Sequence, residues 1–405
     1  MNKEHVVGID VAGNGIHFQV QSAEGRVLKE GKASKSMEGF DSFKKACAQE
    51  GLRWKCTLVV IEATGRHHLP WSERLLGEGA LVYALNPLLT KRLYSSKNAI
   101  RDNKDDRLEA HSLAEIGRLH GDDLERFTYR AQCEKIELQS LVSARVAVRK
   151  QCTNLLKSAG DLLDLVFPEA KRVELDLTHV GFRRLLLRTA TPAEIARLPQ
   201  SELTRTLGEK GAKLLKAARN GFTPEDISSA CKPALQALVE SIEELFRQLR
   251  HLEQSITQCL RKPRHEKDRH TEKLIRSIPG FGENTAPTIA AFLPEGFEQW
   301  GSKKKITAKL SAYFGCDPRR RESGTFKGKV KISKRGIEIV RTALFQASFC
   351  GLRHDPEGKE YYDKKKAEGD HHKKAIFDLV RKNLRRIVAV LVDQKEFEPR
   401  YEKTA

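Results

Sequence analysis

The first 120 residues confine this chain to a narrow set of folds, because short apolar strands and amphipathic stretches alternate there in a fixed order. Residues 5–12 (HVVGIDVA), 15–21 (GIHFQVQ) and 25–30 (GRVLKE) read as three strands joined by tight, glycine-containing connections, which predicts an antiparallel meander. A helix is expected around Met37–Gln49, then the β-branched strand Thr57–Ile61 ending at Glu62. A helix near His68–Leu76, a strand Ala80–Ala84 and a helix through roughly Asp105–Leu119 complete the series.

The order β-β-β-α-β-α-β-α is that of a ribonuclease H-like (RuvC-like) α/β domain, assigned here to residues 1–125. In such a sheet the first and fourth strands are neighbours, so Asp10 and Glu62, which end them, are expected side by side. Asp106 and Glu109 lie three apart on one helix and share a face. Asp102 and Asp105 compete for this assignment, and the spacing Lys104-x-Asp106-x-x-Glu109-Ala110 decides it. Four gathered carboxylates repel one another unless cations neutralise them, and two bridged divalent ions are suited to cutting phosphodiesters. An all-carboxylate site favours Mg2+ or Mn2+.

Charge supplies the substrate class. Lys and Arg total 73 against 54 for Asp and Glu, a net charge of +19 and a pI of about 9.5. The balance is +3 over residues 1–110, +2 over 111–260 and +14 over 261–405. A basic tail behind an acidic head points to a polyanion such as nucleic acid, the alternative being a basic solubility surface. The eight cysteines form no C-x-x-C pair, so neither structural zinc nor a disulfide framework is expected. MNKEHVVGID enters a strand without a signal-peptide core, and no apolar run would span a bilayer, so a soluble intracellular protein is expected.

Residues 126–265 read as a helical coiled-coil linker. One amphipathic stretch covers about Cys133–Asp164. Another carries Leu235, Leu238, Ile242, Leu245, Leu249, Leu252 and Ile256, an a/d seam that requires a partner helix from the same chain or from a second subunit. A mixed insert, 171–230, lies between them, with loop signals at Thr191-Pro192 and at 221–224. Residues 266–405 read as a mainly helical domain ending in a helix Lys373–Val392. Ile278-Pro279-Gly280-Phe281-Gly282 resembles the hairpin of a helix-hairpin-helix module, where Gly280 and Gly282 would admit a phosphate. The other reading is a glycine turn between packed helices. Ser323 precedes Gly324 in a loop flanked by Arg319, Arg320, Arg321, Lys327 and Lys329, with Lys334 and Arg335 beyond. These cations suit a phosphate backbone. A catalytic role for the serine is the less common explanation of a Ser-Gly turn.

VGIDVA, IEATG, Asn86-Pro87 and KDDRLEA, with the Ser323-Gly324 segment between Asp317-Pro318 and SKRG, resemble the DEDD-type insertion-sequence transposases, serine-dependent recombinases guided by a bridge RNA, whose relatives include the pilin-gene invertase. The resemblance spans nearly the full length. It implies that Asp10, Glu62, Asp106 and Glu109 are catalytic metal ligands, although the family usually has Asp where Glu109 stands. It also implies that Ser323 attacks the scissile phosphate, giving a covalent phosphoserine. The implied partners are double-stranded DNA at element ends and target, a structured noncoding guide RNA, and further copies of the chain as a dimer assembling to a tetramer. Two rivals remain: a metal-dependent, structure-specific endonuclease resembling a Holliday-junction resolvase, and a non-catalytic nucleic-acid-binding protein.

Overall fold

A computed structural model describes residues 4–63, 66–85, 87, 90, 106–122, 124, 133–319, 322–323, 326–327, 331–334, and 336–399. The chain divides into two compact units, Met1–Gln132 and Cys133–Ala405.

The first unit is a five-stranded mixed sheet in the order β3-β2-β1-β4-β5. β1 (His5–Ala12), β2 (Gly15–Ser22) and β3 (Val27–Ser34) form the antiparallel meander, while β4 (Thr57–Glu62) runs parallel to both β1 and β5 (Leu81–Leu85). The third strand begins two residues later and ends four later than expected. It lies at the sheet edge and is mostly half-buried or exposed, so its polar sequence VLKEGKAS carries a weak alternation signal. Strand periodicity sorts the inner residues onto two faces. Val7, Ile9, Val59, Ile61 and Val82 pack with Phe40, Phe43 and Trp71 of α1 (Met37–Gln49) and α2 (Leu69–Gly77). Val6, Leu58, Val60, Tyr83 and Leu85 pack on the other face against Leu113 and Ile116 of α3 (Asp106–His120).

Two glycines seat α3. A Cβ on Gly8 would lie 2.1 Å from the Ala110 carbonyl oxygen and 2.3 Å from the Ala114 nitrogen, so only hydrogen fits there. Gly117 does the same from the helix side, against Val6 and Val60.

In the second unit, α4 (Cys133–Val166) and α9 (Glu225–Arg261) form an antiparallel pair. Arg149 meets Glu253 and Lys262 meets Glu137 across it, while Leu163 and Leu235 share a core at the far end. The heptad seam thus finds a partner within its own chain. Between these helices, α5 (Val180–Leu186), α6 (Pro192–Ala196), α7 (Gln200–Leu207) and α8 (Lys210–Arg219) close over the far end around Phe167, Phe182, Leu203 and Leu214. Thr191-Pro192, expected as a loop, instead starts α6. Thr191 and Glu194 cap it reciprocally and Pro192 takes a position needing no amide donor.

The remainder comprises α10 (Glu266–Arg276), α11 (Thr285–Phe292), α12 (Lys303–Tyr313), α13 (Glu338–Gly351), α14 (Pro356–Ala367) and α15 (His372–Asp393). Their core includes Ile278, Phe281, Ile289, Leu310, Phe314, Leu344 and Ile387. Arg145 ties α4 to this part, donating to Asn284 Oδ1 at 2.7 Å and Thr288 Oγ1 at 2.8 Å. Gln139 and Lys135 donate to the terminal carbonyls of Ala291 and Leu293, each at 2.9 Å. Among the described residues, no helix is long and apolar enough to cross a membrane.

Candidate active site and nucleic-acid interface

The sheet register places the acids. Asp10 pairs with His17 on β2, and Ile9 pairs with Ile61 on β4, so Asp10 and Glu62 stand at adjacent strand ends. Both belong to the face that carries α3, since they continue the series Val6, Gly8, Asp10 and Leu58, Val60, Glu62. With Gly8 letting the helix backbone down onto β1, the first turn of α3 is held over those strand ends. Oxygens of Asp10, Glu62 and Glu109 lie within 4.8 Å of one another. Glu109 therefore reaches the cluster despite its extra methylene. Asp106 stands one turn away, with its carboxylate 3.5 Å from His17 Nε2.

Burial is the main reason the Asp10 carboxyl is pushed up to about 6, and the neighbouring charges of Glu109, Asp106 and Glu62 add to it. A carboxylate so disfavoured by its surroundings is one that a cation would restore to its ionised form. An all-oxygen donor set fits a hard divalent ion, which Asp10, Glu62 and Glu109 would hold, with Asp106 beside them.

Two contributors escaped the sequence. Thr90, buried, donates to Glu62 Oε1 at 2.6 Å and so fixes one oxygen of the cluster. Its position follows no strand or helix periodicity that would have drawn attention to it. His17 faces Asp106 because it is the register partner of Asp10, which only pairing reveals.

The predicted residues of the second unit fall in two places. Pro318–Arg319 pairs with Lys331–Ile332, and inside it Glu322–Ser323 pairs with Phe326–Lys327. The segment read as a loop thus contains two short antiparallel pairings, with Ser323 in the inner one. Arg320, Arg321, Lys329 and Arg335 lie outside the described residues. Lys334 is exposed, in a left-handed conformation (φ 55°) that returns the chain to Gly315 through a 3.1 Å backbone bond. Gly280 also has positive φ (90°), and its open side is filled by the backbone of Ala347 and Gly351, a close helix approach that accounts for the glycine by packing. The Gly282 amide donates to Thr285 Oγ1 at 3.1 Å.

Sequence reading missed a basic cleft of about 670 Å³ lined by Lys303, Lys304, Thr307, Ser311, Arg381 and Arg385. α12 and α15 bring together cations far apart in the chain.

The first unit is thus a mixed sheet ending in a carboxylate cluster that could hold a metal ion, and the same chain carries a strongly basic helical part. Comparison with known proteins narrows this. Residues 7–168 match a family model for the DEDD transposase of IS110, and residues 272–363 match one described as the transposase of the IS116/IS110/IS902 family. Together the two cover more than half of the chain, which belongs to this family of insertion-sequence transposases.

Relatives include an uncharacterized 42 kDa protein of insertion element IS900 from Mycobacterium paratuberculosis, 26% identical over 53% of this chain and 51% of its own. An uncharacterized 43.6 kDa protein of IS110 from Streptomyces coelicolor is 24% identical over 65% of each. A 44.8 kDa protein of IS116 from Streptomyces clavuligerus is 23% identical over 97% of this chain and 96% of its own. The chain thus spans about half the length of the first relative, just under two thirds of the second, and nearly all of the third.

Proposed function

We propose that the protein is a DNA recombinase that mobilises an insertion sequence by cleaving, exchanging and rejoining strands. The observation that carries this reading is the meeting of Asp10, Glu62 and Glu109 oxygens within 4.8 Å, in a chain of transposase family. The sheet order and the helix over it support a ribonuclease H-like domain of residues 1–125, followed by a helical linker 126–265 and a C-terminal transposase domain 266–405.

Asp10, Glu62, Asp106 and Glu109 would hold Mg2+ or Mn2+. When bound, such ions polarise a phosphate and stabilise charge on a leaving oxygen. The chain's own residues do the rest. Thr90 keeps Glu62 aimed at the cluster. Asp10, whose carboxyl is pushed up to about 6, would bind an ion in its ionised form, with its proton passing to solvent. Ser323 supplies the nucleophile: its Oγ bonds to phosphorus as the bond to the 3′ oxygen breaks, its proton leaves to solvent or a base, and the 3′ oxygen is protonated. Reversal by an incoming 3′ hydroxyl rejoins the strands and frees the serine, so no nucleotide cofactor is consumed.

Arg319, Arg320, Arg321, Lys327, Lys329, Lys334 and Arg335, with the cleft between Lys303 and Arg385, engage the phosphate backbone of double-stranded DNA. Gly282 is assigned to the same surface, while Gly280 serves the packing of its turn against Ala347 and Gly351. A structured noncoding RNA guides target and donor choice. Copies of the chain assemble as dimers and tetramers, with the helical pair taking part, in the cytoplasm near the nucleoid.

The test incubates purified protein with DNA carrying the joined element ends, with and without co-expressed RNA, and resolves products under denaturing conditions. A protein–DNA adduct is expected from the native chain and absent from Ser323→Ala and Asp10→Asn. A Ser323→Ala protein that still cuts would make the enzyme a hydrolytic endonuclease instead.

A further inference from the structure

A second group of ligating side chains lies at the root of the helical pair, within the second unit. Glu137 is in the second turn of α4, Cys259 in the last turn of α9, and His265 ends the short 3-10 turn Pro263–His265 that follows. Their ligand atoms lie within 4.8 Å of one another. His265 is fully buried and Cys259 is 1% exposed.

The imidazole is the telling group. Its Nδ1 is bonded to Asp268 Oδ2 at 3.0 Å, which fixes the ring. Its Nε2 is buried with no hydrogen-bond partner and points toward Glu137 Oε2, 3.6 Å away. An unsatisfied buried nitrogen costs roughly 1–3 kcal/mol. A carboxylate behind one ring nitrogen and an open second nitrogen facing other donors is the arrangement of metal-bound histidines.

We propose that Glu137, Cys259 and His265 bind a zinc ion, with Asp268 orienting the histidine and water completing the shell. Thiolate and imidazole select zinc over magnesium, so the chain would sort two ions between two sites, hard oxygen donors at one and softer donors here. Zinc bonds of about 2.0–2.3 Å require ligand atoms somewhat closer than 4.8 Å, a contraction within reach of the Glu137 side chain. Lys262, donating to Glu137 Oε1 at 2.6 Å, and Arg264, bonded to Oε2, keep that carboxylate beside the imidazole, from where a small turn brings it onto the ion. The ion would join α4, α9 and the chain leading into α10, fixing the angle at which the helical pair leaves the C-terminal part. Glu137 is far in the chain from Cys259 and His265, and a single cysteine with one histidine after it has no ligand spacing to announce it.

The test uses the full chain, stripped with a chelator and titrated with Co2+ in excess Mg2+, so that the acidic cluster is already loaded. One Co2+ per chain is expected, with a near-ultraviolet thiolate-to-cobalt absorption that one equivalent of Zn2+ abolishes. Cys259→Ser should lose the absorption while Asp10→Asn keeps it. Asp268→Asn, which leaves all three ligands in place, should weaken zinc binding by about 10- to 100-fold. Absence of the absorption from the native chain at saturating Co2+, or its persistence in Cys259→Ser, would overturn the proposal, and neither readout depends on DNA cleavage.

Discussion

Asp10 works against the fold that holds it. Its carboxyl, pushed up to about 6 from an ordinary 3.8, binds its proton more tightly folded than unfolded. Its contribution to stability is therefore fully present below about pH 4 and is lost as pH rises through 6. In the metal-free protein the ionised group costs up to about 3 kcal/mol at pH 8. Asp10→Asn should accordingly raise the melting temperature of the chelated protein at pH 8 and change it little near pH 4. The same substitution should cut strand cleavage by at least about 10²-fold. Melting curves at the two pH values check the first half, and a variant destabilised at both would contradict it. Added Mg2+ should stabilise the native chain more at pH 8 than at pH 5, where protons compete for the ligand. Thr90→Val keeps the shape and removes the donor to Glu62, so ion affinity should fall about 10- to 100-fold, measured by titration calorimetry. The meeting of Asp10, Glu62 and Glu109 was legible because strand ends and an i, i+3 pair leave a mark in the sequence. Thr90 was not, since a single supporting hydroxyl leaves none.

At the level of elements, the site depends on how closely α3 lies on β1. Gly8→Ala would drive a methyl into the Ala110 carbonyl, so the helix must lift or tilt, at a cost of about 1–3 kcal/mol. Both Asp106 and Glu109 would move with it. Weaker cation binding in a still-folded Gly8→Ala protein, followed by circular dichroism and titration, is the expected result, and unchanged affinity would separate the helix seat from the site. The alternation in β1 and β4 and the seam of α9 made these elements readable. Gly8 itself looked like an ordinary residue of an apolar strand, because the demand on it comes from a helix a hundred residues away. The seam left its partner open for a similar reason: spacing specifies that a facing helix exists, and only the ion pairs Arg149–Glu253 and Lys262–Glu137 identify it as α4.

For the whole molecule, the uneven charge implies binding that is strongly salt-dependent. Each phosphate neutralised contributes a slope of about −0.9 in log K against log salt. Replacing Lys304 and Arg385 of the basic cleft with Glu should weaken DNA binding across unrelated sequences and flatten that slope by about 1–2. Fluorescence anisotropy over a salt series measures it, and an unaltered slope would remove the cleft from the DNA path. Composition gave the sign and the region of this charge. It could not show that Lys303–Lys304 and Arg381–Arg385 line one cleft, because that needs the packing of α12 on α15.

The pairing of β1 with β2 and β4 carries a consequence for how such a gene can change. Side chains along a strand point up and down by turns, so deleting one codon between Gly8 and Asp10 would swing the aspartate into the aromatic layer of Phe40, Phe43 and Trp71. A frame-preserving loss of one residue there would invert the centre at once, whereas a change of length in a loop would leave the strand register intact.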